Sequence, residues 1–288
     1  MSLGTARRIG MFMAALHETR ISDRIFAWTL GGDEIATSYG TNCIGIIGTD
    51  AAVLVDPLIA PAHARLVERA LREKTSVPVR FVVLTHHHSD HAMGAAYFAA
   101  QGAVLISHRM CRERMAAEHP DLIETRRNMP EVRELFADAT SSLPEVTFDE
   151  GLVLYLDDQE IEVWHPAWAH TPGDAFVYLP EARVAVCGDL VFQGYHYNFE
   201  DALPDGVREG LRALRALDAD AFIPGHGAVG GPELLDQQAQ YLDRVAAIVA
   251  GAGSEGTADA AVIEQIAAAF PEHRLAIVIP SAVQRLRP

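Results

Sequence analysis

Between positions 86 and 91 the chain carries four side chains that can bind a metal ion: His86, His88, Asp90 and His91. Imidazoles and carboxylates are the ligands that Zn²⁺ or iron accepts at short range. The apolar run Phe81–Leu84 before them is typical of a buried strand, and Ala92–Gln101 after them is rich in helix-forming residues. A loop between a strand and a helix can turn several side chains onto one point, whereas a straight strand directs only alternate residues there. The spacing therefore predicts a metal site rather than a histidine-rich surface loop.

Three more candidate ligands follow, each at the end of a predicted strand and in a glycine-containing turn: His170, Asp189 and His226. Glycine near a ligand lets the backbone pass close to an ion. Any one of these residues alone would be interpreted as an ordinary loop residue, but their joint occurrence after the first motif predicts that they complete its metal site. His87, between two candidate ligands, is expected to point away from them.

Asp56 ends the predicted strand Ala52–Val55 and precedes a proline. A carboxylate at the end of a buried strand needs a partner, because its burial is otherwise costly. It could support a metal ligand from behind, through a hydrogen bond to the ligand's free ring nitrogen. It could equally be a simple strand-ending residue, and the sequence leaves both interpretations open.

An aromatic loop follows the Asp189 strand closely and is predicted to border the metal site; its candidate substrate-binding residues are Tyr195, His196 and Tyr197. Two aromatic rings and a histidine can hold a substrate ring or acyl group. The alternative is that this loop packs onto the segment 109–142. In the first interpretation, the aromatic loop and the segment 109–142 together form the mouth of the site.

Strands and helices alternate through residues 52–106, which indicates the α/β class. We predict a single domain over residues 1–288, because no firm linker is visible. Within it, the polar residues 109–142 are predicted to be a helical insertion or a lid over the site. The last part of the chain, about 231–288, is predicted to hold C-terminal helices.

The formal net charge is −16, which disfavours nucleic-acid partners because these need a basic face. An odd number of cysteines, three, without a C-x-x-C pair argues against disulfides and against a thiolate zinc site. The apolar stretch Met11–Leu16 is too short for a convincing signal segment, with a secretory signal kept as the alternative, and no stretch has the length of a membrane span. We expect a cytoplasmic protein that acts on a small molecule without a membrane partner; a homo-oligomer is possible.

The order His-x-His-x-Asp-His, His-Thr-Pro-Gly-Asp, Gly-Asp and Pro-Gly-His-Gly resembles the metallo-β-lactamase-fold hydrolase superfamily. The match runs from about Asp56 to His226, and the motifs look like those of the broad branch near sulfur-oxidation, quinoprotein-associated and glyoxalase-II-like hydrolases. The resemblance implies an αββα sandwich of two mixed sheets flanked by helices. It also implies one metal held by His86, His88 and His170, a second held by Asp90, His91 and His226, and Asp189 bridging both.

We expect two divalent cations at such a site, zinc first and iron or manganese as alternatives, which would lower the pKa of a shared water towards neutrality. The expected reaction is hydrolysis of a small ester, lactone, thioester or amide, in which Asp90 could orient the attacking water and relay its proton. Alternatives within the family are β-lactamase or glyoxalase-II specificity, although the β-lactamases of this kind carry cysteine where this chain has Asp189. A further alternative from another class is a non-catalytic metal-containing binding or sensing protein.

Overall fold

The computed structural model describes residues 15–252 and 259–287. It is a mixed α/β structure with two sheets, and the α/β prediction is confirmed. The first sheet has seven strands in the order of the chain: β1 (His17–Arg20), β2 (Ile25–Thr29), β3 (Cys43–Ile47), β4 (Ala52–Val55), β5 (Val79–Leu84), β6 (Val104–His108) and β7 (Val146–Phe148). The second has the order β12-β11-β10-β9-β8, with β8 (Gly151–Leu156), β9 (Gln159–Trp164), β10 (Phe176–Leu179), β11 (Val184–Phe192) and β12 (Ala221–His226).

Eight α-helices lie in the described ranges: α1 (Pro61–Arg72), α2 (Ser89–Ala92), α3 (Ala95–Ala99), α4 (Arg109–Arg127), α5 (Pro204–Arg215), α6 (Glu233–Gly251), α7 (Asp259–Ala269) and α8 (Ile279–Leu286). Helix α3 packs on β5, and helices α5 and α6 pack on β11. Both sheets are mixed, because β4 is parallel to β5 and β11 to β12 while most of the other strand pairs are antiparallel. None of the described helices is long and apolar enough to cross a bilayer. Residues 11–14 of the apolar stretch near the start lie outside the described ranges.

The chain divides into two compact units. The first consists of the residues up to Leu84, His88–Ile106 and Glu113–Val146, and the second of Thr85–His87, Ser107–Arg112 and the residues from Thr147 onward. The division cuts the first metal motif between His87 and His88. The single-domain organisation stays a prediction.

In the first unit, the predicted helix Ala92–Gln101 is wrong in its extent: the chain forms two short helices, α2 and α3, with Gly94 between them. The Gly94 amide donates to the Leu58 carbonyl oxygen at 2.7 Å. A Cβ at position 94 would lie 2.0 Å from the Pro57 carbonyl oxygen. The break therefore exists because the backbone must pass against the loop after β4, a long-range contact that local helix propensity does not contain.

The segment 109–142 is only partly helical. Helix α4 ends at Arg127, and turns follow it. Apolar side chains of these turns join a buried cluster in the first unit with residues from the loop after β4 and from α4: Ile59, Ala60, Met93, Ile123, Val132, Leu135, Phe136 and Ala139. The later part of the segment is thus anchored by core packing within its unit.

In the second unit, β11 is longer than the predicted strand Val184–Cys187 and continues through Gly188 and Asp189 to Phe192. Its pairing with β12 shifts register on both sides of Gly188. Gly188 has φ of +53°, and a Cβ there would lie 2.7 Å from the Thr85 side chain. The irregular strand turns Asp189 towards the same end of the sheet as His226, the last residue of β12.

Candidate metal centre

In the second unit, one oxygen of the Asp189 carboxylate lies at the centre of the candidate ligand cluster. Three histidine Nε2 atoms lie around its Oδ2: His170 at 3.3 Å, His226 at 3.4 Å and His86 at 3.7 Å. All four side chains are buried. The ligand atoms of His86, His170 and Asp189 all lie within 4.8 Å of one another. Four of the seven predicted ligands, from separate parts of the sequence, thus meet at one point within this unit.

The distances from Asp189 Oδ2 to the histidines are those expected of a carboxylate oxygen and an imidazole that bind the same cation. An N–H···O hydrogen bond is normally about 2.7–3.2 Å long, shorter than all three contacts. Donor atoms bound to one tetrahedral zinc at about 2.0–2.1 Å lie about 3.3–3.4 Å apart, which is the separation seen for His170 and His226. The donors are nitrogen and oxygen only, so the cluster suits zinc and also accepts iron or manganese.

His86 is oriented by its neighbour. The Thr85 hydroxyl lies 3.0 Å from His86 Nδ1, which leaves Nε2 on the side of Asp189. The Thr85 carbonyl oxygen accepts from the Ala175 amide at 2.7 Å, which ties this turn to the start of β10. His87 is buried, and its Nε2 lies 3.6 Å from Asp201 Oδ2.

A buried carboxylate holds the turn that carries His170. Asp174 accepts hydrogen bonds from the Thr171 amide at 2.9 Å, the Thr171 hydroxyl at 2.7 Å and the Ala169 amide at 3.2 Å. We did not predict a role for Asp174, although it stands in the quoted His-Thr-Pro-Gly-Asp motif. An aspartate that follows a Thr-Pro-Gly turn at this distance is the signal that could have identified it, because it can accept from the turn's own amides.

Asp189 is enclosed by backbone. A Cβ at Gly225 would lie 1.9 Å from Asp189 Oδ1 and 2.9 Å from the Gly188 carbonyl carbon. Only glycine leaves this space open. The ring of Phe192 stacks on His226 with centroids 4.7 Å apart, and the His226 carbonyl oxygen accepts from the Gln193 amide at 2.9 Å. Backbone and aromatic packing therefore fix both residues.

The first unit holds Asp90 and His91 on the one-turn helix α2, with His88 directly before it. His91 Nε2 lies 3.4 Å from Asp90 Oδ2, and His91 Nδ1 lies 2.8 Å from Asp56 Oδ2. The Thr41 hydroxyl donates to Asp90 Oδ2 at 2.9 Å. The structure thus places Asp56 against the ring nitrogen of His91 that faces away from Asp90.

A buried arginine, which sequence reasoning missed, contacts helix α2. Arg126 Nη2 donates to the Ser89 hydroxyl at 2.7 Å, and its guanidinium lies over the Phe136 ring, 5.1 Å from the centroid. Burial lowers the pKa of Arg126, and the nearby Tyr39 and Asp90 oppose that shift. No local sequence pattern could have predicted this contact, since Arg126 lies 37 positions from Ser89.

The three residues of the aromatic loop have different surroundings. Tyr195 lies against the His226 ring at 5.6 Å, and Tyr197 lies edge-on to the His170 ring at 5.2 Å. His196 turns to the C-terminal helices, where its Nδ1 lies 3.1 Å from the Tyr241 hydroxyl, and burial lowers its pKa to about 4. All three are buried, and their role in substrate binding stays a prediction.

Comparisons with known proteins agree with the family resemblance seen in the sequence. The model of the metallo-beta-lactamase superfamily matches residues 36–226. A 2,4-dinitroanisole O-demethylase subunit alpha from Nocardioides sp. (strain JS1661) is 30% identical over 185 residues, which is 64% of this chain and 51% of that protein. A metallo-beta-lactamase type 2 from Elizabethkingia meningoseptica is 22% identical over 175 residues, which is 61% of this chain and 62% of that protein. The matched parts thus span about half to three fifths of these relatives.

Solved structures show the same fold. A metallo-beta-lactamase from Pontibacter korlensis has a TM-score of 0.66 and 21% identity, covering 79% of this chain and 99% of its own. DIM-1 metallo-beta-lactamase has a TM-score of 0.63 and 18% identity, covering 80% and 98%. The predicted fold class and family resemblance are therefore confirmed. Since the family model spans more than half of the chain, the chain belongs to the metallo-β-lactamase superfamily.

Proposed function

We propose that this protein is a metal-dependent hydrolase of a small ester, lactone, thioester or amide. The observation that supports this most is the arrangement of three histidine Nε2 atoms around one buried oxygen of Asp189. Burying that many polar groups against one another is costly unless a bound ion compensates for it. Cations held there would polarise a carbonyl oxygen and bring the pKa of a water close to neutral.

We propose two divalent cations, with zinc as the best fit and iron or manganese as alternatives. By resemblance to the family, one has the ligands His86, His88 and His170, and the other has Asp90, His91 and His226. Asp189 would be shared. All seven donors are nitrogen or oxygen, the types that these metals accept.

The chain's own side chains prepare these ligands. The 2.8 Å contact to Asp56 places the His91 proton on Nδ1 and leaves the lone pair on Nε2. The Thr41 hydroxyl occupies one lone pair of Asp90 Oδ2, which fixes the carboxylate for its proposed task of orienting the attacking water and taking its proton. Burial raises the pKa of the thiol of Cys187, the cysteine nearest to Asp189 in sequence, which makes it a poor nucleophile. A bound metal would instead supply the nucleophile by activating a water.

A second candidate reaction comes from the O-demethylase subunit that is 30% identical to this chain. Its name describes removal of a methyl group from an aryl ether oxygen. Such a reaction would place an aromatic ring at the site, and Tyr195 against His226 is an aromatic side chain beside the ligands. β-Lactam hydrolysis is a third candidate reaction, because a β-lactamase is among the relatives.

The test is metal analysis combined with a substrate screen. Purified protein reconstituted with zinc should bind two ions per chain and hydrolyse at least one ester, lactone, thioester, amide or β-lactam. The substitution His170→Ala should remove both properties, whereas His17→Ala, an exposed histidine on β1, should leave them unchanged. Turnover of 2,4-dinitroanisole alone would select the demethylase reaction. Metal binding without turnover of any substrate would favour the binding or sensing protein.

A further inference from the structure

One polar atom beside the metal centre has no partner within the described residues: the Tyr197 hydroxyl. Tyr197 has no exposed surface, so bulk solvent does not reach this group either. A buried hydroxyl without a hydrogen bond costs about 1–3 kcal/mol relative to one that is paired. Such a group in a well-packed region suggests a partner that is not part of the polypeptide.

The contacts of the Tyr197 ring indicate that this partner lies beside the candidate metal ligands. Tyr197 packs edge-on against the His170 ring with centroids 5.2 Å apart, and against Phe192 at 4.9 Å. Phe192 in turn stacks on His226. Two of the proposed ligands in the second unit are thus connected to Tyr197 by direct ring packing or through one phenylalanine.

The nearby carboxylates do not serve as its partner. Burial raises the pKa of the Tyr197 phenol, and the negative charges of Asp174 and Asp189 raise it further. Asp174 already accepts from the Thr171 amide and hydroxyl and from the Ala169 amide. Asp189 Oδ2 is surrounded by three imidazoles, and neither carboxylate forms a hydrogen bond with the Tyr197 hydroxyl.

We propose that Tyr197 is a positioning residue of the metal centre, whose hydroxyl donates its hydrogen bond to a water molecule that enters with the cation. The inference rests on metal binding by the Asp189 cluster. It assigns Tyr197 to the inner side of the centre instead of its mouth. It also predicts a signature that a merely structural tyrosine would not give: the hydroxyl contributes to stability only when metal is bound.

The experiment compares wild type with Tyr197→Phe in metal-free and zinc-loaded form. In metal-free protein, the variant should be as stable as wild type or more stable in thermal unfolding, because it removes an unpaired polar atom. Its affinity for zinc, measured by competition with a chelator, should be about 2- to 10-fold weaker, the value of one neutral hydrogen bond. The visible spectrum of the cobalt-substituted protein should change as well.

Tyr178→Phe is the matched control. The Tyr178 hydroxyl donates to the Asp218 carbonyl oxygen at 3.0 Å, so its loss should lower the stability of both forms equally and leave zinc affinity unchanged. Unchanged zinc affinity in Tyr197→Phe would overturn the inference, and so would a loss of stability in its metal-free form. If wild type binds no zinc at all, the proposed function itself fails, which separates the two outcomes.

Discussion

The two compact units supply their candidate ligands in opposite ways. The second unit gathers His86, His170, Asp189 and His226 from four separated stretches of chain onto one carboxylate oxygen. The first unit presents Asp90 and His91 as neighbours on a single helical turn. A cluster gathered from distant turns depends on the whole sheet that carries it, whereas a pair on one turn depends on the few groups that touch that turn.

The groups that hold the candidate ligands in place also differ between the two units. Around Asp189 the space is bounded by the Gly188 backbone, and Gly225 keeps it open. Around His91 and Asp90 the supports are side chains, the Asp56 carboxylate and the Thr41 hydroxyl. We therefore expect the second unit's cluster to be sensitive to side-chain volume, and the first unit's pair to be sensitive to charge and hydrogen bonding.

The largest effect is expected for Asp189→Ala. Three imidazoles lose the oxygen around which they are arranged, so zinc affinity should fall by more than about 100-fold, beyond the loss typical of a supporting residue. Metal content after dialysis measures this, with exposed Asp50→Ala as control. Retention of two zinc ions per chain would show that the gathered cluster is not the metal site.

Gly225→Ala should come next. The added methyl group would lie 1.9 Å from Asp189 Oδ1, and the backbone of Gly188 prevents it from moving away. Overpacking of this kind costs about 1–3 kcal/mol of unfolding free energy and should also displace the carboxylate from the imidazoles. Denaturant unfolding and zinc titration measure the two losses.

The control for that variant is Gly251→Ala at the end of α6, where an added Cβ meets no atom within 4 Å. It should be neutral or stabilising, because alanine is the better helix former. Normal zinc binding by Gly225→Ala would contradict the proposed sensitivity to volume.

A smaller effect is expected for Asp56→Asn. It removes the charge that faces His91 Nδ1 while it keeps the shape, so zinc affinity should fall by about 10- to 100-fold. Its counterpart in the second unit is Thr85→Val, which removes the neutral hydroxyl beside His86 Nδ1 and should cost less, about 2- to 10-fold. Isothermal titration of both variants with zinc compares the two units directly. An equal loss of zinc affinity would contradict the greater sensitivity of the first unit to charge and hydrogen bonding.

The smallest effect on the metal site is expected for Arg126→Lys. Lysine keeps the charge but loses the planar fork that donates to the Ser89 hydroxyl, so the unfolding free energy should fall by about 1–2 kcal/mol. The cobalt spectrum should shift slightly, because Ser89 begins the helical turn that carries Asp90. Arg127→Lys is the control, since Arg127 donates only to the carbonyl oxygens of Phe136 and Ala139. A cobalt spectrum identical in all three proteins would show that Arg126 serves packing alone.

The sequence was most informative where chemistry coincides with strand ends. The ligand types beside glycine turns predicted the cluster at Asp189, and Gly225 is the glycine that lets the backbone pass close to that carboxylate. It was least informative where two distant segments meet. Neither the contact of Arg126 with Ser89 nor that of Gly94 with the Leu58 carbonyl oxygen has a local signature. The burial of Tyr197 likewise depends on rings from Phe192 and Phe199, which periodicity alone does not assign to it.

Two of the three cysteines give this chain built-in chemical reporters. Cys43 lies on β3 in the first unit and Cys187 on β11 in the second, and burial raises the pKa of both thiols. A thiol that is both shielded and protonated reacts with an alkylating reagent only when its surroundings open. The rates at which the two sites are labelled, read by mass spectrometry, would therefore time the opening of each unit separately. Repeating the measurement with and without zinc would reveal which unit the ion secures.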